Sequence, residues 1–301
     1  MDKTKVAKHL RSEKLVRNFF IYPTLILLLF LIAYPIVMVV VSSFDEFSYL
    51  RPGPHTDVGL RHYVNILTSD YAWERFIFTG KYTVLAVTIQ FFLGMFIAYL
   101  LQSKFKGRDI IFTIVLIPMM LSPVVIGLLW KYMFNPEWGI VNYFLHDLLG
   151  FPLISWLSVP EYSIWAIVIT DTWQWTPFMV LLCSAGFSAV PQHLYEAAEV
   201  DRASAWFKFT RITLPISAPI LLLALLFRTM DTIKRFDLID TLTGGGPGDA
   251  TQTVAYSLYR TAFKYFYTGE GSAWAFILLV VILGMSAILV KLLNYLAKRS
   301  S

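Results

Sequence analysis

Six long, mainly apolar runs place the strongest constraint on what this chain can fold into. They cover residues 19–41, 82–102, 110–130, 162–190, 212–227 and 272–290. A helix needs about 20 apolar residues to cross the roughly 30 Å hydrocarbon core of a bilayer. With 57% hydrophobic and 15% charged residues, the chain also has too little polar surface for an ordinary soluble domain. We predict an all-α polytopic membrane protein with six transmembrane helices.

The basic residues set the predicted orientation of these helices. Six lysines and arginines precede the first run, and Lys106 and Arg108 separate the second run from the third. Because such residues stay on the cytoplasmic side, both termini are predicted to be cytoplasmic. The predicted division is a cytoplasmic segment 1–18, a first transmembrane helix 19–43, an outer loop 44–75, a core of five transmembrane helices 76–296 and a cytoplasmic tail 297–301.

The fifth run is too short to cross the membrane without charged residues. It is uncharged over only 16 residues, so a spanning helix must include Arg228 and Asp231. With Thr232 and Arg235 they fall at positions i, i+3, i+4 and i+7, on one face of a helix. Charges at this depth are costly unless they face a cavity or each other. The pattern predicts either a polar face lining a path or an ion-paired set along the helix.

The predicted cytoplasmic loop 191–214 has the pattern of two short helices joined by a turn. Pro191 suits a helix start, and Asp201 or Ser204 can cap a second helix. A protruding helix-turn-helix of this kind can fit into a groove on a partner and transmit its movement to the two membrane helices that it joins.

The loop also contains a recognisable run of residues, namely Glu196, Ala197, Ala198, Asp201, Ala203, Phe209, Ile212, Leu214 and Pro215. These residues resemble the E-A-A motif of the permease subunits of binding-protein-dependent type I ABC importers, which lie in the cytoplasmic (inner) membrane of bacteria. The resemblance is to the carbohydrate-uptake branch, which includes maltose-type and glycerol-phosphate-type systems. The usual glycine of the motif is replaced by Arg202. The resemblance extends to the Ser122-Pro123 segment and to the glycine-rich segment 242–247.

The resemblance implies half of a translocation pore for a sugar or sugar derivative. The implied partners are a second homologous permease, two ATPase subunits that bind ATP and Mg, an extracytoplasmic solute-binding protein and membrane lipid. The chain itself would be no enzyme and would hold no cofactor. The implied ATPase-coupling residues are Glu196, Ala197, Ala198, Asp201, Arg202, Ala203 and Phe209.

Comparison with the maltose-type relatives also implies where the solute passes. The implied solute-contacting residues are Gln174, Trp175, Phe178, Arg228, Asp231, Thr232 and Arg235. Two arginines against one aspartate leave an excess of positive charge, which favours an anionic or heavily hydroxylated sugar of monosaccharide size, bound by Arg228 or Arg235 with Trp175 against its ring. Trp130, Lys131 and Asp171 are further candidates that we set aside at this point.

Other classes of function find little support in the residues. An intramembrane enzyme needs a nucleophile or clustered acids within the spans, where only Asp171 and Asp231 are available. A secondary transporter is expected to have repeated halves, and no internal repeat is visible. The single cysteine and the scattered histidines favour no metal site. The basic residues lie beside the apolar runs, so no nucleic-acid partner is predicted.

Overall fold

The all-α prediction is confirmed by a computed structural model, which describes residues 3–46, 48, 56–103 and 105–300. Within those ranges the chain forms helices and no strand, and its only extended pairings are two isolated bridges. Parts of four predicted segments fall outside the described residues. These are residues 1–2 of the N-terminal segment, residues 47 and 49–55 of the outer loop, residue 104 of the core and residue 301 of the tail.

Thirteen α-helices are present in the described part of the chain. They are α1 Lys3–Ser42, α2 Arg61–Thr68, α3 Asp70–Leu100, α4 Arg108–Leu116, α5 Pro123–Met133, α6 Ile140–Asn142, α7 Pro160–Ser188, α8 Gln192–Val200, α9 Ala205–Lys208, α10 Leu214–Ile233, α11 Asp237–Leu242, α12 Val254–Tyr259 and α13 Thr268–Ser300. A 3-10 turn, Ile117–Met120, follows α4, and π-helical turns cover Tyr143–Leu148, Phe209–Thr213 and Arg260–Lys264.

Four to six of these elements are long and apolar enough to cross a membrane. Four stretches qualify alone, namely Arg17–Ser42, Asp70–Leu100, Ala205–Ile233 and Thr268–Leu292. Two further pairs of helices, each bent at a short break, bring the number of candidate membrane spans to six if each pair counts as one span. The predicted third run, 110–130, is one of these pairs, because the helix breaks after Met120 and resumes at Pro123 at an angle of 96°. Prolines at 118 and 123 remove backbone donors there, which accounts for the break.

Three of the predicted segment boundaries do not coincide with breaks in the helices. Helix α13 runs through the predicted boundary between residues 296 and 297. Helix α1 runs without interruption through residues 18 and 19. Helix α3 begins at Asp70, inside the range predicted as an outer loop, and that range also contains α2. Charge patterns indicate where a chain leaves the membrane, but a helix can continue beyond that point into water.

The described chain divides into two units, of which the smaller comprises residues 1–64 and 261–276. Its longest element is α1, and no residue in the most apolar part of that helix is buried. After α1 the chain is held by a hydrogen bond of 2.6 Å between the Ser43 and Tyr63 hydroxyls. The ring of Phe44 also packs on Tyr63, with the ring centroids 5.9 Å apart.

The larger unit, residues 65–260 and 277–301, is built on three helices that pack on one another, α3, α7 and α10. One apolar core includes Tyr82 of α3, Ile167 of α7 and Leu238 of α11. A second core, which includes Cys183 and Phe187 of α7, also contacts the start of α10. These helices bring polar residues that are far apart in sequence to the same depth.

We expect Gly94→Ala to lower the unfolding midpoint of the purified protein. A Cβ at Gly94 would overlap the Cβ of Met179 where α3 crosses α7, and such overpacking costs about 1–3 kcal/mol. Gly80→Ala is the matched control, because a Cβ at this site on the same helix meets no described atom within 4 Å. Thermal unfolding of both variants in one detergent checks the expectation. Equal midpoints would contradict the close approach of the two helices.

Candidate solute site and coupling loop

A buried ion pair between α7 and α10 lies at the centre of the candidate solute site. The Arg228 side chain is 1% exposed, and its Nη2 donates a short hydrogen bond to Oδ2 of the fully buried Asp171. Arg228 Nε donates to Gln90 Oε1 of α3 at 2.6 Å, and Gln90 Nε2 donates to Asp171 at 2.9 Å. The three side chains are hydrogen-bonded to one another and join α3, α7 and α10, while Asp171 Oδ1 has no hydrogen-bond partner in the described part of the chain.

Arg235 extends this arrangement just beyond the end of α10. Its Nη2 donates to Oδ2 of Asp231 at 2.8 Å, and Arg228 Nη1 donates to the same oxygen at 2.9 Å. Arg235 Nη1 lies 3.7 Å from Asp237 Oδ1. Its Nε lies 3.6 Å from Asp171 Oδ1, within ion-pair range but beyond a hydrogen bond.

The predicted excess of positive charge is wrong. The two guanidiniums face three carboxylates within 4 Å, those of Asp171, Asp231 and Asp237, so the ionised cluster carries one net negative charge. Counting along α10 alone missed Asp171, which comes from another helix, and Asp237, which follows the bend after α10. The physical reason is burial, because two guanidiniums at this depth require counter-charges.

The other predicted solute-contacting residues fall into two groups. Gln174 and Thr232 are buried, and the Thr232 hydroxyl donates to the Arg228 carbonyl at 2.8 Å. Trp175 and Phe178 are half-buried, with their ring centroids 6.2 Å apart. The Trp175 ring lies 5.0 Å from both guanidinium carbons, in range for a cation–π contact.

Several polar atoms near these residues have no hydrogen-bond partner within the described part of the chain. They include Gln174 Oε1 and Trp175 Nε1 on α7, and Trp130 Nε1 on α5. Buried polar atoms are normally paired, so an unpaired amide oxygen and two unpaired indole N–H groups indicate a place for polar ligand groups or water.

Gln90 and Asp237 are members of the cluster that sequence reasoning missed. Gln90 is fully buried within a span, and a lone amide in an apolar run was the one signal that could have revealed it. Asp237 lies at the first turn of α11, a position that reads as an ordinary acidic helix start.

The predicted coupling loop is a helix-turn-helix. Helix α8 ends at Val200, and α9 begins after Ser204, whose Oγ accepts a hydrogen bond from Phe207 N at 3.2 Å. Ser204 rather than Asp201 is therefore the cap. Between the helices, Arg202 has φ of +52°, and Ala203 N donates to the Ala198 carbonyl at 2.9 Å to close the turn.

We expect Arg202→Gly to retain coupling and to stabilise the turn slightly. A positive φ costs a non-glycine residue about 1–2 kcal/mol, whereas glycine adopts it freely, so the substitution relieves strain in the folded state. Glycine also raises the entropy of the unfolded chain, which offsets part of this stabilisation. Arg211→Gly, at a helical position of the same loop, should instead be destabilising by up to about 1 kcal/mol. Unfolding midpoints of both variants check this. A lower midpoint for Arg202→Gly would show that the guanidinium makes a stabilising contact of its own.

Phe209 lies where the loop joins the body of the larger unit. Its ring packs edge-on against Tyr99 of α3 at 5.2 Å and against Phe187 of α7 at 6.0 Å. A hydrogen bond of 2.7 Å between the Tyr195 and Thr213 hydroxyls also connects α8 to the turn before α10. These contacts make Phe209 an anchor of the loop and leave other side chains to contact a partner.

The exposed part of the loop combines acidic and apolar side chains. Glu196 and Asp201 are exposed, as are Val200 at 84% and Trp206 at 73%. A groove of about 500 Å³ between α8 and the residues that follow the turn is lined by Leu194, Ala197, Ala198, Asp201, Ala203, Ser204, Phe207 and Ile212. Exposed apolar groups beside carboxylates are typical of a protein-binding surface.

No group of three His, Cys, Asp or Glu side chains that could hold a metal ion occurs in the described ranges. The polar residues around α7 and α10 have the form of a polar membrane site, and the 191–214 loop has the form of a docking loop. The profile of the family described as "Binding-protein-dependent transport system inner membrane component" matches residues 90–299. The chain belongs to this family. It is a permease of an ABC importer and not an enzyme.

Similar proteins match over nearly the whole permease. It is 35% identical over 295 residues to the trehalose/maltose transport system permease MalF of Thermococcus litoralis, covering 97% of this chain and 98% of that one. It is 32% identical to the sulfoquinovosyl glycerol transport system permease SmoG of Agrobacterium fabrum, covering 94% and 92%. A chain of a bacterial importer of the acidic polysaccharide alginate has the same fold, with a TM-score of 0.81, 22% identity and coverage of 97% and 99%.

Proposed function

We propose that the permease forms half of the translocation pore of an ATP-driven importer for a sugar or sugar derivative. The solute class rests on a single observation. The permease is 35% identical, over almost its full length, to a permease for trehalose and maltose. The similarity to a permease for sulfoquinovosyl glycerol also supports this class.

The solute passes at the α7–α10 cluster in this proposal. Trp175 and Phe178 offer half-buried rings for the apolar face of a sugar, and Asp231 offers an exposed carboxylate for its hydroxyls. Gln174 Oε1 adds an unpaired acceptor. Arg228 and Arg235 hold Asp231 and the ring of Trp175 in place. Thr232 holds the backbone of α10 at Arg228. An exposed carboxylate within a membrane span requires water or a protein neighbour, which supports a pore at this face.

One of the two ATPase subunits docks on the 191–214 loop in this proposal, and ATP and Mg bind to the ATPase pair. Glu196, Ala197, Ala198, Asp201, Arg202 and Ala203 form the docking element. Phe209 passes its movement to α3 and α7, so closure of the ATPases tilts the permease. The exposed apolar surface of α1 supports contact with lipid and with a second homologous permease.

We infer that both termini and the coupling loop are cytoplasmic, while the segment 244–251 faces the extracytoplasmic solute-binding protein. The six basic residues before the first span support this orientation in an inner membrane. Reporter fusions after Ser301 and after Gly248 should give opposite signals. Identical signals would exclude this topology.

Copurification tests the assembly. The tagged permease, expressed with its neighbouring transport genes, should retain an ATPase whose turnover rises on addition of sugar-loaded binding protein. A permease that purifies without an ATPase and moves sugar along an ion gradient would refute the proposal in favour of a secondary transporter.

A further inference from the structure

We infer that Asp231 determines solute specificity, and that the α7–α10 site accepts neutral polyhydroxylated sugars and rejects anionic ones. This inference rests on the proposed function, because it concerns the solute site of the same pore. It replaces the expectation, drawn from the α10 pattern alone, of a solute bound directly by Arg228 or Arg235.

The nitrogen atoms of both guanidiniums already face protein acceptors. Those of Arg228 donate to Gln90, Asp231 and Asp171. Those of Arg235 face Asp231, Asp171 and Asp237. Arg235 Nε makes no hydrogen bond within the described part of the chain, but each guanidinium nitrogen lies within 4 Å of a protein acceptor, so an anionic solute group would have to compete with these carboxylates for either arginine.

The faces of the guanidiniums are also covered. The indole of Trp175 lies 5.0 Å from both guanidinium carbons, and the two side chains are at most 5% exposed. Arginine binds carboxylate or sulfonate groups through its edge and aromatic rings through its face. Here the faces are covered and the edges lie within ion-pair range of carboxylates, so the positive charge of the cluster is offset within the protein.

The charge that a solute meets is that of Asp231. Its side chain is 44% exposed, and both arginines donate to its Oδ2, while no described residue donates to Oδ1. An unoccupied carboxylate oxygen accepts hydrogen bonds from sugar hydroxyls. The same oxygen repels a uronate or sulfonate, and the net negative charge of the cluster adds to that repulsion.

Equilibrium binding to the purified importer complex tests the inference, in the absence of binding protein so that only the pore selects. The probes are radiolabelled maltose and maltose with one C6 hydroxymethyl group oxidised to a carboxylate. Wild type should bind maltose at least about tenfold more tightly, since juxtaposed like charges strongly disfavour the wrong ligand. Asp231→Asn should reduce that preference to about threefold or less. Asp147→Asn, which removes an exposed carboxylate elsewhere in the same unit, should leave it unchanged.

Equal binding of the two probes by wild type, or an unchanged preference in Asp231→Asn, would overturn the inference and leave the importer function intact. If the wild-type complex binds neither probe yet transports sugar with ATP, both this inference and the location of the solute site are wrong. The comparison of the two probes on wild type needs no variant. It therefore still tests the inference if the Asp231→Asn complex fails to assemble.

Discussion

Asp171→Asn is expected to abolish the accumulation of folded permease. The substitution removes the buried carboxylate that both guanidiniums face and leaves Arg228, 1% exposed, without its principal counter-charge. Breaking a buried ion pair costs about 3–5 kcal/mol, a large share of the roughly 5–15 kcal/mol that stabilises a typical protein. The yield of monodisperse protein in size-exclusion chromatography and its unfolding midpoint measure the loss.

The matched control is Asp109→Asn. That carboxylate is 97% exposed and lies 3.9 Å from Arg108, and exposed pairs contribute about 0–1 kcal/mol, so its yield should be normal. The double variant Asp171→Asn/Arg228→Gln should recover much of the stability, because it removes both members of the buried ion pair and keeps polar groups opposite Gln90. An Asp171→Asn protein as stable as wild type would contradict the view that the ion pair holds the three helices together.

Glu196→Lys is expected to reduce transport by at least about tenfold while the protein still folds. Glu196 is exposed on α8 and has no described ion-pair partner in its own chain, so charge reversal costs the isolated permease little. In the complex it would oppose a basic group of the ATPase with a like charge, which costs several kcal/mol at an interface. Sugar uptake, and the ATPase that remains bound after purification, measure the effect.

Glu161→Lys supplies the control for this charge reversal. Glu161 is also exposed and also lies on a helix, in the first turn of α7, but away from the coupling loop. Its transport and bound ATPase should remain near wild type. Normal uptake by Glu196→Lys would contradict the docking role of the loop.

The elements that sequence predicts best are those specified by local pattern. The 3.6-residue period placed Arg228, Asp231 and Thr232 on one face of α10, and the structure has them there. Capping chemistry likewise predicted the two short helices of the coupling loop, with Ser204 as one of two candidate caps. Spacing within one helix is fixed by the backbone, so such features need no tertiary information.

The properties of the candidate site that sequence could not supply depend on packing between helices. Gln90 and Asp171 meet Arg228 only because α3, α7 and α10 pack together, and no spacing in the chain encodes that meeting. The same packing reversed the expected charge of the cluster. The E-A-A motif predicts Phe209 as one of the ATPase-coupling residues. In the structure its ring packs on Tyr99 and Phe187, because a motif specifies residue types and not the direction of a side chain.

Transport by the purified components tests the central claim most directly. Proteoliposomes would contain the permease, its homologous second permease and the two ATPases, with the solute-binding protein and its radiolabelled sugar outside. We predict accumulation of sugar that requires ATP and the binding protein and that is lost with Glu196→Lys. Accumulation that persists without ATP or without the ATPase subunits would contradict the assignment of this chain as the pore subunit of an ATP-driven sugar importer.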